Sequence, residues 1–342
     1  MKLLFLARGP KSDPRLFPPA FVRGLREFGD VEIVYDAANL PDGEVLSRVR
    51  ACDVLLTGWG SVPVPPEVAA DPGRLRYVCH VTGSLVGYVP VEVVRSPIPV
   101  TNWGDAFALE VAEGALALLL ACLKDIGTHI QGKRAGGWRI PDVTTGSLYG
   151  LRLGVYGLGF IGRKFLDLCR PFGPVVTVFD PYAARDLPEA PAWGGDLTWV
   201  DSLDELFDRS EAVAIHAGLT EETRHSVTAA HLAKLPAMGI VVNTARGGII
   251  DQEALFAELE SGRLRAGLDV LDDDDRLPPD HPARQWPNLI LTSHQVCRTD
   301  WPPPGEDRMM PMHAVCLDNL RRFRDGAPLR FEMDETRFLR ST

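Results

Sequence analysis

The chain is 342 residues long, 45% hydrophobic and 24% charged, which suits a folded protein of two domains and excludes wholesale disorder. Its formal net charge of -10, with a pI near 5.3, argues against nucleic acid or an anionic membrane as a partner. No run is apolar for the ~20 residues a membrane-spanning helix needs, and the first residues carry charge too early for a secretory signal, so a cytoplasmic protein is expected.

Short apolar runs at Leu3–Ala7, Val31–Val34, Val54–Thr57, Tyr77–His80 and Val100–Asn102 alternate with helical stretches and Pro/Gly-rich turns. That is the rhythm of βαβ units around a parallel sheet. A buried helix is expected from about Ala108 to Gln131. A turn-rich stretch, 135–150, separates it from a second βα series that runs from Leu153 to about His294. The tail from Met310 to Phe323 has helical spacing and ends in Arg321, Arg322 and Arg324, which suit a helix C-terminus. The expected fold is therefore α/β, with two Rossmann-like, doubly wound parallel-sheet domains. Residues 105–297 form the second domain, inserted into a discontinuous first domain made of 1–104 and 298–342. The six cysteines (Cys52, Cys79, Cys122, Cys169, Cys297, Cys316) form no C-x-x-C pair and read as small core hydrophobes in a reducing compartment. Cys297 stands apart because it follows His294 by three residues. No metal site is expected.

The sharpest local signal is Gly157-Leu158-Gly159-Phe160-Ile161-Gly162, between the predicted strand Leu153–Tyr156 and the predicted helix Ile161–Leu168. Gly157 permits the tight turn, Gly159 lets the backbone approach a pyrophosphate, and Gly162 lets helix and strand pack closely. The helix start at Phe160 and Ile161 offers N–H groups and a partial positive charge to phosphates. The next predicted strand, Val175–Phe179, ends in Asp180, 18 residues after Gly162. A carboxylate there accepts hydrogen bonds from ribose hydroxyls and repels a 2′-phosphate, which favours NAD over NADP.

Three later strand ends carry polar side chains. Val241-Val242-Asn243-Thr244-Ala245-Arg246 delivers a guanidinium to a Gly-bounded loop, where it matches a carboxylate bidentately. Ala266-Gly267-Leu268-Asp269 leads toward the acidic run Asp272–Asp275, and Leu289-Ile290-Leu291-Thr292-Ser293 runs into His294. Ligands in open α/β sheets bind at the carboxyl ends of strands. Reduction of a 2-oxo acid needs a hydride on carbon and a proton on oxygen; a nicotinamide supplies the first and a histidine the second. An arginine holds the substrate carboxylate and polarises the carbonyl.

At these residues, and at His216, Leu219-Thr220, Val100-Thr101-Asn102 and Val111-Ala112-Glu113, the chain resembles the D-isomer-specific 2-hydroxyacid dehydrogenases. That family includes phosphoglycerate, hydroxypyruvate/glyoxylate and D-lactate dehydrogenases. The resemblance implies hydride transfer between NAD(H) and C2 of a small 2-hydroxy or 2-oxo acid. It implies substrate binding by Arg246, acid/base work by His294, and a grip on the substrate carboxylate from the backbone around Thr82-Gly83-Ser84. Thr244, Ala245, Asp269 and the turn His216-Ala217-Gly218 would line the nicotinamide side, and a homodimer would form through the coenzyme domain. A glutamate normally pairs with the histidine; Asp274 is the best counterpart here, with Asp275 the other choice. Ser293 replaces the usual proline before the histidine, Gly218 replaces another, and Asp300–Asp307 is a rewritten loop. Trp59, Trp103 and Trp301 are candidate aromatic walls for a bulkier, apolar substrate. The alternative reading is an NAD-binding sensor or partner-binding protein that kept the fold and lost rate.

Overall fold

The computed structural model describes residues 1–11, 13, 15–41, 43–141, 143–183, 197–272, 276–297 and 307–340. The chain divides into two compact units, Met1–Phe107 with Thr299–Thr342, and Ala108–Arg298.

The first unit is built on a five-stranded sheet of β1 (Lys2–Leu6), β2 (Asp30–Val34), β3 (Val54–Thr57), β4 (Tyr77–His80) and β5 (Val100–Thr101), in the order β2-β1-β3-β4-β5. Every pairing is parallel. This is the flavodoxin-like strand order, whose reversal at β1/β3 opens a crevice at the strand ends. Alternation sorts the side chains: Leu3 and Phe5 enter one core layer, Leu4 and Leu6 the other. Helices α1 (Pro19–Arg26), α2 (Glu44–Arg50) and α3 (Val91–Val94) follow their strands. The C-terminal segment returns to this unit. There Met312, Cys316 and Leu320 of its helix pack with Leu3, Phe5 and Tyr77. That helix starts with Pro311 at its first position and ends at Arg324, with basic residues in its last turn.

The second unit opens with α4 (Ala108–Leu123) and α5 (Ile126–Arg134). The single helix expected over 108–131 is thus two. The break falls at Asp125, which takes a left-handed φ of 53°. At the break its carboxylate pairs with Arg265, 3.1 Å away, and accepts from the Thr128 hydroxyl at 2.7 Å. The sheet contains β6 (Arg152–Tyr156), β7 (Val175–Phe179), β8 (Leu197–Trp199), β9 (Ala212–Ile215), β10 (Gly239–Asn243), β11 (Leu264–Leu268) and β12 (Leu289–Leu291). Its order is β12-β11-β10-β9-β6-β7-β8, all parallel. The order reverses between β6 and β9, a switch point of the kind where dinucleotides bind. Helices α6 (Phe160–Cys169), α7 (Leu203–Asp208), α8 (Ala229–Leu232) and α9 (Gln252–Glu260) connect the strands. Val155, Val242, Phe165 and Leu119 make one core layer, and Val241, Ile215 and Leu255 the other. Strands buried on both faces explain the near-continuous apolar runs seen in the sequence. Among the described residues no helix is long and apolar enough to cross a membrane.

Candidate functional site

The glycine turn follows β6 at the switch point. Gly157 has φ of +94°, and a Cβ there would lie 2.5 Å from the Ala217 nitrogen, so only glycine fits between β6 and the turn after β9. A Cβ on Gly162 would lie 2.3 Å from the Gly157 carbonyl, which shows how closely α6 approaches its strand. At Gly159 a Cβ would meet nothing within 4 Å. The backbone is therefore closed on the protein side at Gly157 and Gly162 and open at Gly159, beside the N-terminal turn of α6 formed by Phe160 and Ile161. This surface fits a pyrophosphate.

Asp180 ends β7 beside this turn. One carboxylate oxygen accepts from the Leu158 N–H at 2.7 Å; the other accepts from Tyr182 and Ala183 at 2.8 and 2.9 Å. These bonds fix the carboxylate and leave lone-pair capacity on the oxygen facing Leu158 for a ribose hydroxyl. The next turn, His216-Ala217-Gly218, follows β9. The His216 ring turns inward and packs on Phe165 at 4.8 Å between centroids; both its nitrogens are buried without a protein partner among the described residues. Burial pushes its pKa down to about 3, so the ring is neutral. What this turn presents outward is backbone.

Three adjacent strands deliver the remaining groups to the same sheet edge. In register, Asn243 of β10 lies opposite Leu268 of β11, and Leu268 opposite Leu291 of β12. Arg246, Asp269 and His294 follow these positions by three, one and three residues, so all leave at one end, across ~10 Å of sheet. Asn243 shapes the first loop: its amide donates to the Arg246 carbonyl at 2.9 Å and its oxygen accepts from Ala245 at 3.0 Å. Thr244 and Ala245 are buried there, and the Thr244 hydroxyl has no partner among the described residues, as expected of a group that a ligand satisfies. Arg246 is half-buried, and its Nη1 donates to the Ala245 carbonyl at 2.7 Å. Gly247 is required by close approach, since its Cβ would lie 1.9 Å from the Leu271 carbonyl carbon.

Asp269 does something the sequence did not disclose. It is 4% exposed, and a single carboxylate oxygen accepts from the Thr292 hydroxyl (2.6 Å), Gln295 N–H (2.9 Å) and Val296 N–H (3.1 Å). Its carbonyl accepts from the His294 N–H at 2.5 Å. The turn carrying His294 is thus tied to β11 on both sides of the histidine. Ser293 and His294 both adopt φ of 55°, a left-handed pair that costs ~1–2 kcal/mol per residue. Proline, with φ locked near -65°, cannot take that conformation, whereas serine can. The His294 side chain is exposed. Cys297 is half-buried and burial raises its thiol pKa, so the thiolate is disfavoured. Asp274, like Asp273 and Asp275, lies outside the described residues. So does Trp301, with the rest of residues 300–306. Asp272, the first of the acidic run, bonds His225 at 2.7 Å, a pair that sequence spacing of 47 residues concealed.

In the first unit, Thr82-Gly83-Ser84 follows β4, between the ends of β3 and β5. The Asn102 amide donates to the Gly83 carbonyl at 2.7 Å, the Trp103 N–H donates to the Thr82 carbonyl at 3.2 Å, and the Trp103 indole covers Gly83 so closely that a Cβ would clash at 2.5 Å. Trp59 meets Trp103 edge-on at 5.7 Å; both are half-buried.

A parallel sheet with a glycine turn at its switch point, a ribose-type carboxylate after β7, and an arginine and a histidine after β10 and β12 on either side of β11 defines a nicotinamide-dependent oxidoreductase. The profile of the D-isomer specific 2-hydroxyacid dehydrogenase NAD binding domain matches residues 116–295. The chain is 33% identical over 281 residues to a D-3-phosphoglycerate dehydrogenase of Methanocaldococcus jannaschii, covering 82% of this chain and 52% of that protein. It is 29% identical over 326 residues to a glyoxylate reductase of Korarchaeum cryptofilum, covering 92% and 93%. Among solved structures it shares its fold with a D-2-hydroxyisocaproate dehydrogenase, at TM-score 0.73 and 21% identity over 97% of this chain and 99% of that one. The chain belongs to the D-isomer specific 2-hydroxyacid dehydrogenase family, and its coenzyme is NAD(H). It spans about half the length of the phosphoglycerate dehydrogenase it matches.

Proposed function

We propose that the chain reduces a 2-oxo acid to the D-2-hydroxy acid: R–CO–COO⁻ + NADH + H⁺ gives R–CHOH–COO⁻ + NAD⁺. The observation that carries this reading is the delivery of Arg246 and His294 by strands on either side of β11 to the sheet edge that bears the glycine turn. Bound NADH supplies the hydride. Arg246 pairs with the substrate carboxylate and polarises the carbonyl as charge develops on its oxygen. His294 gives that oxygen its proton and takes it back in the reverse direction. By the resemblance, Asp274 is the carboxylate partner that orients the His294 imidazole. The backbone of Thr82-Gly83-Ser84 holds the substrate carboxylate from the first unit, which is the substrate-binding domain.

Gly157, Gly159, Phe160, Ile161 and Gly162 hold the pyrophosphate, and Asp180 the ribose. His216, Ala217 and Gly218 would act through their backbone, with Thr244, Ala245 and Asp269, to hold the nicotinamide end of the coenzyme. The protein works in the cytoplasm as a homodimer formed through the coenzyme domain. The half-buried indoles of Trp59 and Trp103 beside the 82–84 loop favour an apolar substituent R over hydrogen. NADH oxidation across a panel from glyoxylate to 4-methyl-2-oxopentanoate and phenylpyruvate tests this, with chiral analysis of the product. The expected result is a D product and a kcat/KM for the large apolar acids at least about tenfold above glyoxylate, the value of a buried methylene or two. An L product, or a preference for glyoxylate, contradicts it.

A further inference from the structure

His80, the last residue of β4, has no part in the chemistry described so far. It is 1% exposed, and both its ring nitrogens are engaged: Nδ1 hydrogen-bonds with the Thr57 hydroxyl at 2.8 Å and Nε2 with the Thr82 hydroxyl at 2.7 Å. Thr57 and Thr82 are themselves 1% and 0% exposed. A neutral imidazole carries one donor and one acceptor, and a threonine hydroxyl serves as either, so the three side chains form a satisfied buried chain. Burial holds the imidazole neutral, with its pKa pushed down to about 3, and the Ser84 backbone carbonyl lies beside it. The ring therefore spans from the end of β3 to the loop after β4 and reaches both ends of Thr82-Gly83-Ser84. From the other side, Asn102 and Trp103 hold the same loop by the Gly83 and Thr82 carbonyls. With the Thr82 and Gly83 carbonyls and the Thr82 hydroxyl taken up by the protein, the N–H groups of the loop are the donors it can offer a carboxylate.

We propose that His80 is a positioning residue for substrate binding: the Thr57–His80–Thr82 chain fixes the backbone of the 82–84 loop in the conformation that receives the substrate carboxylate. This rests on the reading of that loop given above. A rigid loop presents preorganised donors, whereas a loose one must be ordered at each binding event. The effect should fall on substrate affinity and spare the coenzyme, whose contacts lie in the other unit.

The test compares His80→Phe, His80→Gln and Thr82→Val by steady-state kinetics, NADH titration and amide exchange. His80→Phe and Thr82→Val should each raise KM for the 2-oxo acid about tenfold, the scale of a buried hydroxyl losing its partner. The NADH Kd should stay within twofold and kcat within threefold. Exchange at residues 81–86 should speed up by a similar factor, with residues 157–162 unchanged. The double variant should be no worse than the poorer single one, and His80→Gln, which keeps a donor and an acceptor, should recover most of the loss. An unchanged KM and unchanged exchange in folded His80→Phe overturn the proposal, as does a loss of NADH affinity in step with KM. If His80→Phe does not fold, Thr82→Val decides on the same criteria. Should the loop instead hold no substrate, exchange at 81–86 would rise while KM stayed put. That outcome overturns the proposal too, and it locates the fault in the assignment of the loop, where unchanged exchange locates it in His80.

Discussion

Asp269 shows how a residue expected at the coenzyme also serves its neighbour. A carboxylate that accepts three donors from the His294 turn, buried where water cannot replace it, is a strong fixture. Asp269→Ala would leave the Thr292 hydroxyl and two backbone N–H groups unpaired. At ~1–3 kcal/mol for each buried group left unsatisfied, a loss of about 3 kcal/mol of stability is expected after partial exposure. A histidine displaced by ~1 Å costs ~10²-fold in rate, so kcat should fall by about that factor. Asp269→Asn retains the accepting oxygen and should lose less in both. Urea unfolding and single-turnover kinetics on the two variants check this; equal losses for Ala and Asn would show that charge, not turn geometry, matters.

Secondary-structure elements were legible where a local pattern sufficed. The strands of the first unit, β6, β7, β10, β11 and β12 of the second, the glycine turn and the carboxylate after β7 are local in sequence, and periodicity or spacing marks them, whereas β8 and β9 are not among the runs that the sequence marks. The helix break at Asp125 is not local. Asp125 and Arg265 are 5% and 6% exposed and meet across 140 positions of sequence, so the buried ion pair at the break cannot be read from the residues near Asp125. Arg265 also donates to the Cys122 carbonyl at 2.8 Å, capping the end of α4. Asp125→Ala strands a buried guanidinium, and a loss of ~3–5 kcal/mol is expected. A paired Asp125→Leu, Arg265→Met variant should recover most of that. Thermal unfolding of the three proteins decides, and a single variant as stable as wild type would show the pair contributes nothing.

The same distinction holds for the site. Arg246, Asp269 and His294 were legible as strand-end residues; Asn243 and Ala245, close in sequence, shape the Arg246 loop, but the bonds between Asp269 and the His294 turn join residues more than twenty positions apart, as do those between His80 and Thr57. Asp274 lies outside the described residues, and its role stands on the resemblance.

Across the whole molecule, three buried imidazoles make stability sensitive to acid. Burial lowers His80 and His216 to about 3 and His313 to about 4. Unfolded, each takes up a proton below ~6.5, while the folded forms do not until much lower pH, so the unfolded state binds more protons in between. Stability is therefore full above ~6.5 and declines as pH falls toward 4 and 3, by ~2 kcal/mol for each histidine at pH 5. His216→Leu, which removes two nitrogens that have no partner among the described residues, should lose less stability between pH 7 and pH 5 than wild type by about that amount. Urea midpoints at the two pH values measure it; identical shifts would mean His216 is not buried neutral.

The most direct test of the dehydrogenase assignment separates coenzyme binding from turnover in the same variants. Arg246→Gln and His294→Gln are titrated with NADH and assayed with a 2-oxo acid that wild type reduces. Both should bind NADH within about threefold of wild type and lose at least ~10³-fold in kcat/KM, Arg246→Gln through substrate binding and carbonyl polarisation, His294→Gln through proton transfer. Retained turnover in either variant would contradict the assignment of that residue, and retained turnover in both would contradict the site.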